Sequence, residues 1–441
     1  MTLQRIAKRM LNCCRVLVRA RARSLVFSAL AFGAILVTLY VDIIVISSNS
    51  LRSLSYNGQT PLVIHGAIQE TEARNLKSTF RHLQLRSVHE EVMEIQEVKV
   101  DDDDDENISP LVPPINVTEE ERVSWFRKVL PEFDIFKSDD LTRRFHGRVM
   151  GFIGQKNNCS VRFFMTWISP AGSFGRREFL ALESLFKSNP YGCLVIISRT
   201  MDSKLGFKKL KPVLDHGFKV IAVTPDLPFL LKNTPAKAWF DEMKTGTKDP
   251  GEIPLAQNLS NLIRIAVLFK YGGVYLDTDV IVLKDFALLR NSIGAQSIDA
   301  MSRRWTRLNN AVMAFDKKHP LLLKFMREFA LTFDGNRWGH NGPYLVSRVV
   351  EKVIGKRGFE FKVLLPMAFY PVDWTRIGGL FRRPETRANA KWVDAKIAQL
   401  SGETYGVHLW NKQSRRLKIE DGSVIGRLIE DHCVICEKIY N

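Results

Sequence analysis

The chain has 441 residues, 45% hydrophobic and 25% charged, with a formal net charge of +17. Length allows two domains or one large domain with appendages, and the composition is that of a globular protein rather than a disordered or fibrous one. The charge speaks to partners, not to fold. With no zinc-finger spacing, no basic region leading into heptads and no aromatic RNA-binding signature, nucleic acid is not the expected partner. That leaves an anionic ligand, an anionic membrane surface or simply a solvated basic surface.

The charge is unevenly placed. Arg5, Lys8, Arg9, Arg15, Arg19, Arg21 and Arg23 crowd the N-terminus. Leu25–Ile46 follows, apolar except for Asp42 near its distal end, and its length of about 22 residues suits a bilayer-spanning helix. Basic residues before an apolar run keep the N-terminus cytosolic and send the rest to the lumen, a single-pass type II arrangement. A cleaved signal peptide fits less well, because the run is long and no small-residue cleavage site follows. The expected organisation is a cytosolic tail (1–24), an anchor (25–46), a polar, flexible stem (47–150) and a lumenal domain (151–441). The run Asp101–Asp105 repels itself and favours extended chain. Sequons at Asn107, Asn116, Asn158 and Asn258 agree with a lumenal bulk, although Asn258 falls within a predicted helix. Cys159, Cys193, Cys433 and Cys436 would share an oxidising compartment. The last two, spaced C-x-x-C without a second such pair, read as a disulfide or two thiols rather than a zinc ribbon.

From about residue 150 strand and helix alternate. Val161–Trp167, Cys193–Ser198 and Phe218–Val223 read as strands, and Arg176–Lys187 as a helix ended by Asn189-Pro190. This alternation predicts a mostly parallel sheet with crossover helices. Leu255, Leu259, Leu262, Ile263 and Ala266 then make one apolar helical face, beside a polar stripe of Gln257, Asn261 and Arg264. Gly272-Gly273 stops the helix. Val274–Leu276 is a short strand running into Asp277-Thr278-Asp279, and Val280–Leu283 is a further strand.

In extended chain the side chains at i and i+2 share a side, so Asp277 and Asp279 converge. Two carboxylates at a strand's end make a hard oxygen site suited to Mn²⁺ or Mg²⁺, with substrate phosphate completing the ion's shell. Parallel sheets bind ligands just beyond the C-terminal ends of their strands, which is where a nucleotide diphosphate would lie. A bare D-x-D is common by chance and reads equally as a solvated turn; here an amphipathic helix, a double glycine and an apolar strand lead into it.

The run from Asn261 to Asp279 resembles the D-x-D sugar-binding region of the α-1,4-glycosyltransferase family. Further segments match in order: Leu308-Asn309-Asn310-Ala311, Trp338-Gly339-His340-Asn341-Gly342-Pro343, Leu365-Pro366 through Phe369-Tyr370-Pro371, and Val407-His408-Leu409-Trp410-Asn411-Lys412. The resemblance spans roughly 160–415. It implies a GT-A-type, Rossmann-like nucleotide-binding sheet and a UDP-sugar donor, galactose being the first suggestion. It also implies a glycan or glycolipid acceptor, retention of the α configuration and a Golgi membrane location. Asp279 is the expected metal ligand. Asp277 would bind the metal or the donor's hydroxyls, and His408 the metal or the diphosphate unless it packs as a core histidine beside Trp410. Arg264 would pair with phosphate or with Asp277, or else form a helix-surface ion pair. Trp167 would stack on the base or fill the core. Asn309 and His340 would line the donor or acceptor pocket, and Lys412 falls within the last donor-side motif. Asn261 stands where relatives often carry Asp, so it can hydrogen-bond a sugar but cannot act as a base. Two other readings remain: a catalytically silent lumenal binding protein on the same fold, and a metal-dependent phosphohydrolase, which would want more acidic ligands than this segment offers.

Overall fold

The computed structural model describes residues 111–154 and 157–436. The expected anchor Leu25–Ile46, the acidic run, Cys13, Cys14 and Asn107 lie outside them. Among the described residues no helix is long and apolar enough to cross a membrane.

The packed region starts upstream of residue 151, inside the segment assigned to the stem. Helix α1 (Glu119–Val129) begins at a capping box in which Thr118 and Glu121 satisfy each other's backbone N–H groups. It buries Phe126 in a core that also takes Phe133, Phe136, and Phe145 and Val149 of α2 (Phe145–Ile153). Arg122 of α1 forks onto Asp249 at 2.8 and 2.6 Å, and Arg148 of α2 onto Asp202 at 2.6 and 2.9 Å. The segment's high charge reads as stem, but its aromatic residues bury and its arginines pair across long sequence separations.

The sheet alternates with helices as the pattern predicts: β1 (Arg162–Thr166), α3 (Arg176–Ser188), β2 (Cys193–Ile197), α4 (Lys204–Asp215), β3 (Lys219–Val223), α5 (Leu255–Tyr271) and β4 (Gly273–Leu276). There follow β5 (Val280–Val282), β6 (Ser292–Ile298), β7 (Trp305–Phe315), α6 (Pro320–Thr332), α7 (Pro343–Val353), β8 (Lys362–Leu364), α8 (Arg387–Glu403), β9 (Gly406–His408) and α9 (Val424–His432). Seven strands form one sheet in the order β3-β2-β1-β4-β7-β6-β8, and β5 and β9 make a separate antiparallel ribbon. The pairings β3–β2, β2–β1, β1–β4 and β6–β8 are parallel; β7 runs antiparallel to both β4 and β6. This is a mixed α/β fold with a parallel-rich sheet. Two features lay beyond the sequence pattern: the antiparallel β7, and the placement of β5 outside the main sheet.

Side chains of successive strand residues enter opposite cores. Phe164, Val195 and Ile197 join α5 and α6 on one face, whereas Phe163, Met165, Leu194 and Ile196 join α3 and Phe286 on the other. Two disulfides form, Cys159–Cys193 and Cys433–Cys436. Asn116 and Asn158 are exposed, while Asn258 is buried and accepts from Asn341 at 2.9 Å, as its helical position suggests.

Candidate active site

The site is built from the α5–β4 junction outward. Gly272 caps α5 at φ +67°, and a Cβ there would lie 2.6 Å from the Lys317 nitrogen; at Gly273, φ +119°, a Cβ would meet the Arg162 carbonyl at 2.4 Å. Only glycine turns the chain in so little space. The turn aligns β4 with β1, so Asp277 and Asp279 emerge beyond the C-terminal end of β4. The Asp277 N–H donates to the Ala311 carbonyl at 2.8 Å, fixing the segment to β7.

Asp277 sits in a web of permanent partners. Arg264 brings Nη2 to 3.0 Å from its Oδ1 and Nη1 to 3.2 Å from its Oδ2. The Tyr275 hydroxyl donates to Oδ1 at 2.9 Å. Arg264 also donates to the Ser260 carbonyl at 3.2 Å and the Asn310 carbonyl at 2.9 Å, and its guanidinium lies 4.6 Å from the centre of the Tyr275 ring. Arg264 is only 6% exposed. It is therefore neither a helix-surface ion pair nor free for phosphate; it pairs with Asp277, one of the roles expected for it. Burial raises the Asp277 carboxyl, the Arg264 charge pulls it down, and the balance is upward.

Asp279 is held differently. Ribbon β5–β9 pairs Val280 with His408, which brings the imidazole Nε2 to 3.3 Å from Asp279 Oδ1. The Asn411 N–H donates to Oδ2 at 2.9 Å, and the Leu409 N–H to the Asp279 carbonyl at 2.8 Å. Trp410, between them, adopts left-handed backbone (φ +55°), a conformation unusual for a bulky residue. It is held there by its indole N–H on the Val372 carbonyl at 2.9 Å and by an edge contact with the His408 ring at 4.3 Å. Arg177 of α3 ties the limb down by donating to the carbonyls of Ser414 and Leu417. For Asp279, burial acts upward but the His408 charge and hydrogen bond and the Asn411 N–H win, and the carboxyl is lowered. For His408, burial acts downward but Asp279 wins, and the imidazole is raised.

Asp277, Asp279 and His408 offer ligand atoms that all lie within 4.8 Å of one another. His408 Nδ1 and Asn411 Oδ1 are buried without a hydrogen-bond partner. Two carboxylates and an imidazole this close, with buried polar atoms beside them still without partners, fit a divalent cation such as Mn²⁺. In particular His408, although packed against Trp410 and Tyr370, is not a satisfied core histidine.

The remaining expected residues lie around this centre at different removes. Asn261 accepts from Asn310 Nδ2 at 2.9 Å, and a Cβ on Gly342 would stand 2.7 Å from its Oδ1. Trp167, half-buried at the end of β1, donates its indole N–H to the Pro170 carbonyl at 3.2 Å and meets Phe174 edge-on at 5.1 Å. Lys412 is exposed, its Nζ 3.7 Å from the centre of the Trp338 ring. Asn309 donates its amide to Gln296 at 3.0 Å and accepts from the Ala311 N–H at 2.9 Å, and its carbonyl accepts from the Tyr370 hydroxyl at 3.4 Å. His340 pairs Nε2 with the Thr332 carbonyl at 2.7 Å, away from the two carboxylates' partners.

Sequence reasoning missed Tyr275, Asn310, Tyr370 and the Asn411 N–H. Tyr275 was findable, since it stands two residues before Asp277 on the same side of the strand. Asn310 was the neighbour of a residue already chosen; only the facing of β7 shows that it, and not Asn309, looks toward α5.

The sequence of this region matches known proteins. Residues 175–299 match the family description "Glycosyltransferase sugar-binding region containing DXD motif", and residues 314–440 match "Alpha 1,4-glycosyltransferase conserved region". An uncharacterised protein of Arabidopsis thaliana is 33% identical over 294 residues, covering 65% of this chain and 44% of that protein. Lactosylceramide 4-alpha-galactosyltransferase of Pongo pygmaeus is 35% identical over 204 residues, 44% of this chain and 84% of that one. Alpha-1,4-N-acetylglucosaminyltransferase of Homo sapiens is 26% identical over 220 residues, 47% of this chain and 58% of that one. The chain belongs to the α-1,4-glycosyltransferase family. It spans 44% and 64% of the lengths of the first two relatives it matches.

Proposed function

We propose that this protein is a retaining, metal-dependent glycosyltransferase that moves a hexose from a UDP-sugar to a glycan or glycolipid acceptor. The observation that carries this reading is the convergence of Asp277, Asp279 and His408 beyond the end of β4, with buried polar atoms of His408 and Asn411 still without partners. A nucleotide-binding sheet of the GT-A type, with the D-x-D at the strand ends, is the architecture this placement suits. Asp279 and His408 would hold the cation together with Asp277. When bound, the cation supplies positive charge that stabilises the departing diphosphate. Galactose is the first donor sugar to test and N-acetylglucosamine the second, after the relatives' names.

The chain's own residues constrain how the bond is exchanged. Asp277 is committed to Arg264 and Tyr275, and Asp279 to His408 and Asn411. Neither is disposed to attack the sugar. This favours displacement on one face: the anomeric carbon's bond to the diphosphate oxygen breaks, its bond to the acceptor oxygen forms on the same side, and the diphosphate takes the acceptor hydroxyl's proton. A glycosyl adduct trapped on the protein would overturn that route. A Golgi membrane location, single-pass type II with the catalytic region lumenal, is part of the same proposal. Its support is the basic-then-apolar N-terminal sequence together with two disulfides, which persist in oxidising compartments.

The test is UDP binding to the full-length chain in detergent, with and without Mn²⁺, read as a thermal shift for wild type and Asp279→Asn. Ligand at about 100 times its Kd adds roughly 2.7 kcal/mol. The expected result is a Mn²⁺-dependent shift that the variant loses, accompanied by release of UDP from UDP-galactose or UDP-N-acetylglucosamine by the wild type. No response to UDP at any Mn²⁺ concentration would sink the reading. Binding without turnover on any acceptor would point to a silent sugar-binding protein on this fold.

A further inference from the structure

The loop between α6 and α7 holds an unusual pairing of rigidity and exposure. Its ends are fixed by polar contacts. The Asn336 side chain accepts from the Glu252 N–H at 3.0 Å, and the Gly335 carbonyl from the Ile253 N–H at 2.9 Å. Asn341, 1% exposed, donates to Asn258 at 2.9 Å and to the Asp334 carbonyl at 2.8 Å, and accepts from the Asp334 N–H at 3.2 Å. Gly335 lies so close to Pro250 that a Cβ would stand 2.0 Å from its carbonyl oxygen. Between these anchors Trp338 stands 49% exposed. One face of this half-exposed indole carries the Lys412 ammonium, and the rest of the ring stays open to solvent on an anchored loop.

On one side Lys412 places Nζ 3.7 Å from the Trp338 ring centre, and Lys412 directly follows Asn411, whose N–H binds Asp279. On the other side the loop continues to Gly342, packed against Asn261, and Asn261 is joined through Asn310 to Arg264 and so to Asp277. Trp338 thus touches the Lys412 segment directly and lies four residues before Gly342, which packs on Asn261, so it stands beside segments that hold partners of both carboxylates. The charged groups of the centre account for the donor's diphosphate. The indole has the opposite chemistry: the part of it that Lys412 leaves exposed suits the apolar C–H face of a pyranose, whose hydroxyls stay in water at the edges.

We propose that Trp338 is the acceptor-side platform of the site, a subsite that stacks the sugar ring receiving the transferred hexose. The inference rests on the glycosyltransferase reading above and names a residue for its second substrate. Because the loop is already fixed, the ring is presented without an ordering cost at binding.

The experiment uses the full-length chain in detergent with UDP and Mn²⁺ present, and lactose as the probe. Saturation-transfer NMR reads contact with the lactose ring protons, and a titration reads its affinity. Wild type is expected to transfer saturation to those protons. Trp338→Ala is expected to weaken lactose about tenfold or more, and Trp338→Phe, which keeps a ring, to recover most of the loss. The Mn²⁺-dependent UDP shift is followed in parallel. If it is present while Trp338→Ala binds lactose as wild type does, or while wild type gives no saturation transfer, the platform is wrong and the donor reading stands. If the shift is absent in wild type, the donor reading has failed on its own account, and loss of lactose contact in Trp338→Ala still decides the subsite. Equal loss in Trp338→Ala and Trp338→Phe, with a lowered midpoint in both, would assign Trp338 a structural role instead.

Discussion

The two carboxylates of the centre stand two residues apart and belong to differently built regions. Asp277 is served by the α5–β4 limb, whose contributors Ser260, Arg264 and Tyr275 lie within about one helix and one strand of it. Asp279 is served by the β9 limb, whose Asn411 is 132 residues away. The first region neutralises its carboxylate with a charge that never titrates, fully hydrogen-bonded and buried. The second uses a histidine and a backbone N–H, and leaves His408 Nδ1 and Asn411 Oδ1 without partners. One region is a finished structure; the other keeps binding capacity in reserve. The contrast teaches that a symmetrical motif, D-x-D, need not hold two equivalent ligands.

The largest effect that would break this contrast is on Arg264. Replacing it with Met strands Asp277 in a buried site, and removing one partner of a buried pair typically costs about 3–5 kcal/mol. Chemical denaturation of Arg264→Met should show a loss of that order, and Arg264→Lys, with one donor group in place of a fork, an intermediate one. Asp279→Asn keeps its volume and its Asn411 bond, so it should lower stability far less while removing metal-dependent binding. If the two variants destabilise the chain equally, the two regions are not built differently.

The same contrast explains what the sequence reveals. Helix α5 and strand β4 are legible because apolar spacing, the double glycine and a strand of Val274, Tyr275 and Leu276 all operate over a few residues. Their boundaries follow from local physics. The β5–β9 ribbon has only three residues in each strand and exists because the two meet, so nothing in Gly406–His408 alone announces a strand. Strand β7 is long but carries Arg307, Asn309 and Asn310, polar residues that break the alternation by which strands are recognised. Its partner β6 is irregular, with register shifts at Gly294 and around Ser297. The ordered motifs located His408, whereas its link to Asp279 needed the fold. Upstream, the Thr118–Glu121 capping box is a local signal, set in a stretch whose charge reads as stem.

A second prediction uses the titratable character of the Asp279 region. Without metal, His408 gains a charged partner on folding, so its folded pKa is raised above its unfolded value of 6.5. Its contribution to stability is fully present below pH 6.5 and is lost as pH rises through the raised value. Metal needs the imidazole neutral, so Mn²⁺ binding should strengthen over the same interval. Thermal midpoints measured from pH 5.5 to 8.5 should therefore show the stabilisation conferred by Mn²⁺ growing with pH. In His408→Gln the pH dependence should flatten and Mn²⁺ should bind at least about tenfold more weakly. Loss of the imidazole should remove the crossover, leaving only what Asp277 contributes, its carboxyl raised by burial against the Arg264 charge. Finding one in His408→Gln would place the titrating group elsewhere.

The smallest effect concerns Asn261, at the edge of the Asp277 region. Its Oδ1 accepts from Asn310, a role a carboxylate performs equally well. What Asp adds is a charge on a half-exposed side chain, partly screened by water. Asn261→Asp should therefore shift stability by less than about 1 kcal/mol, and its Mn²⁺-dependent UDP affinity should stay close to that of wild type. If the charge instead improved turnover on one UDP-sugar and not another, Asn261 would face the donor sugar, and its amide would be a determinant of which sugar this chain transfers. If stability fell by several kcal/mol, the Arg264–Asn310–Asn261 chain would be electrostatically coupled to Asp277, and the finished character of that region would extend to the rim of the site.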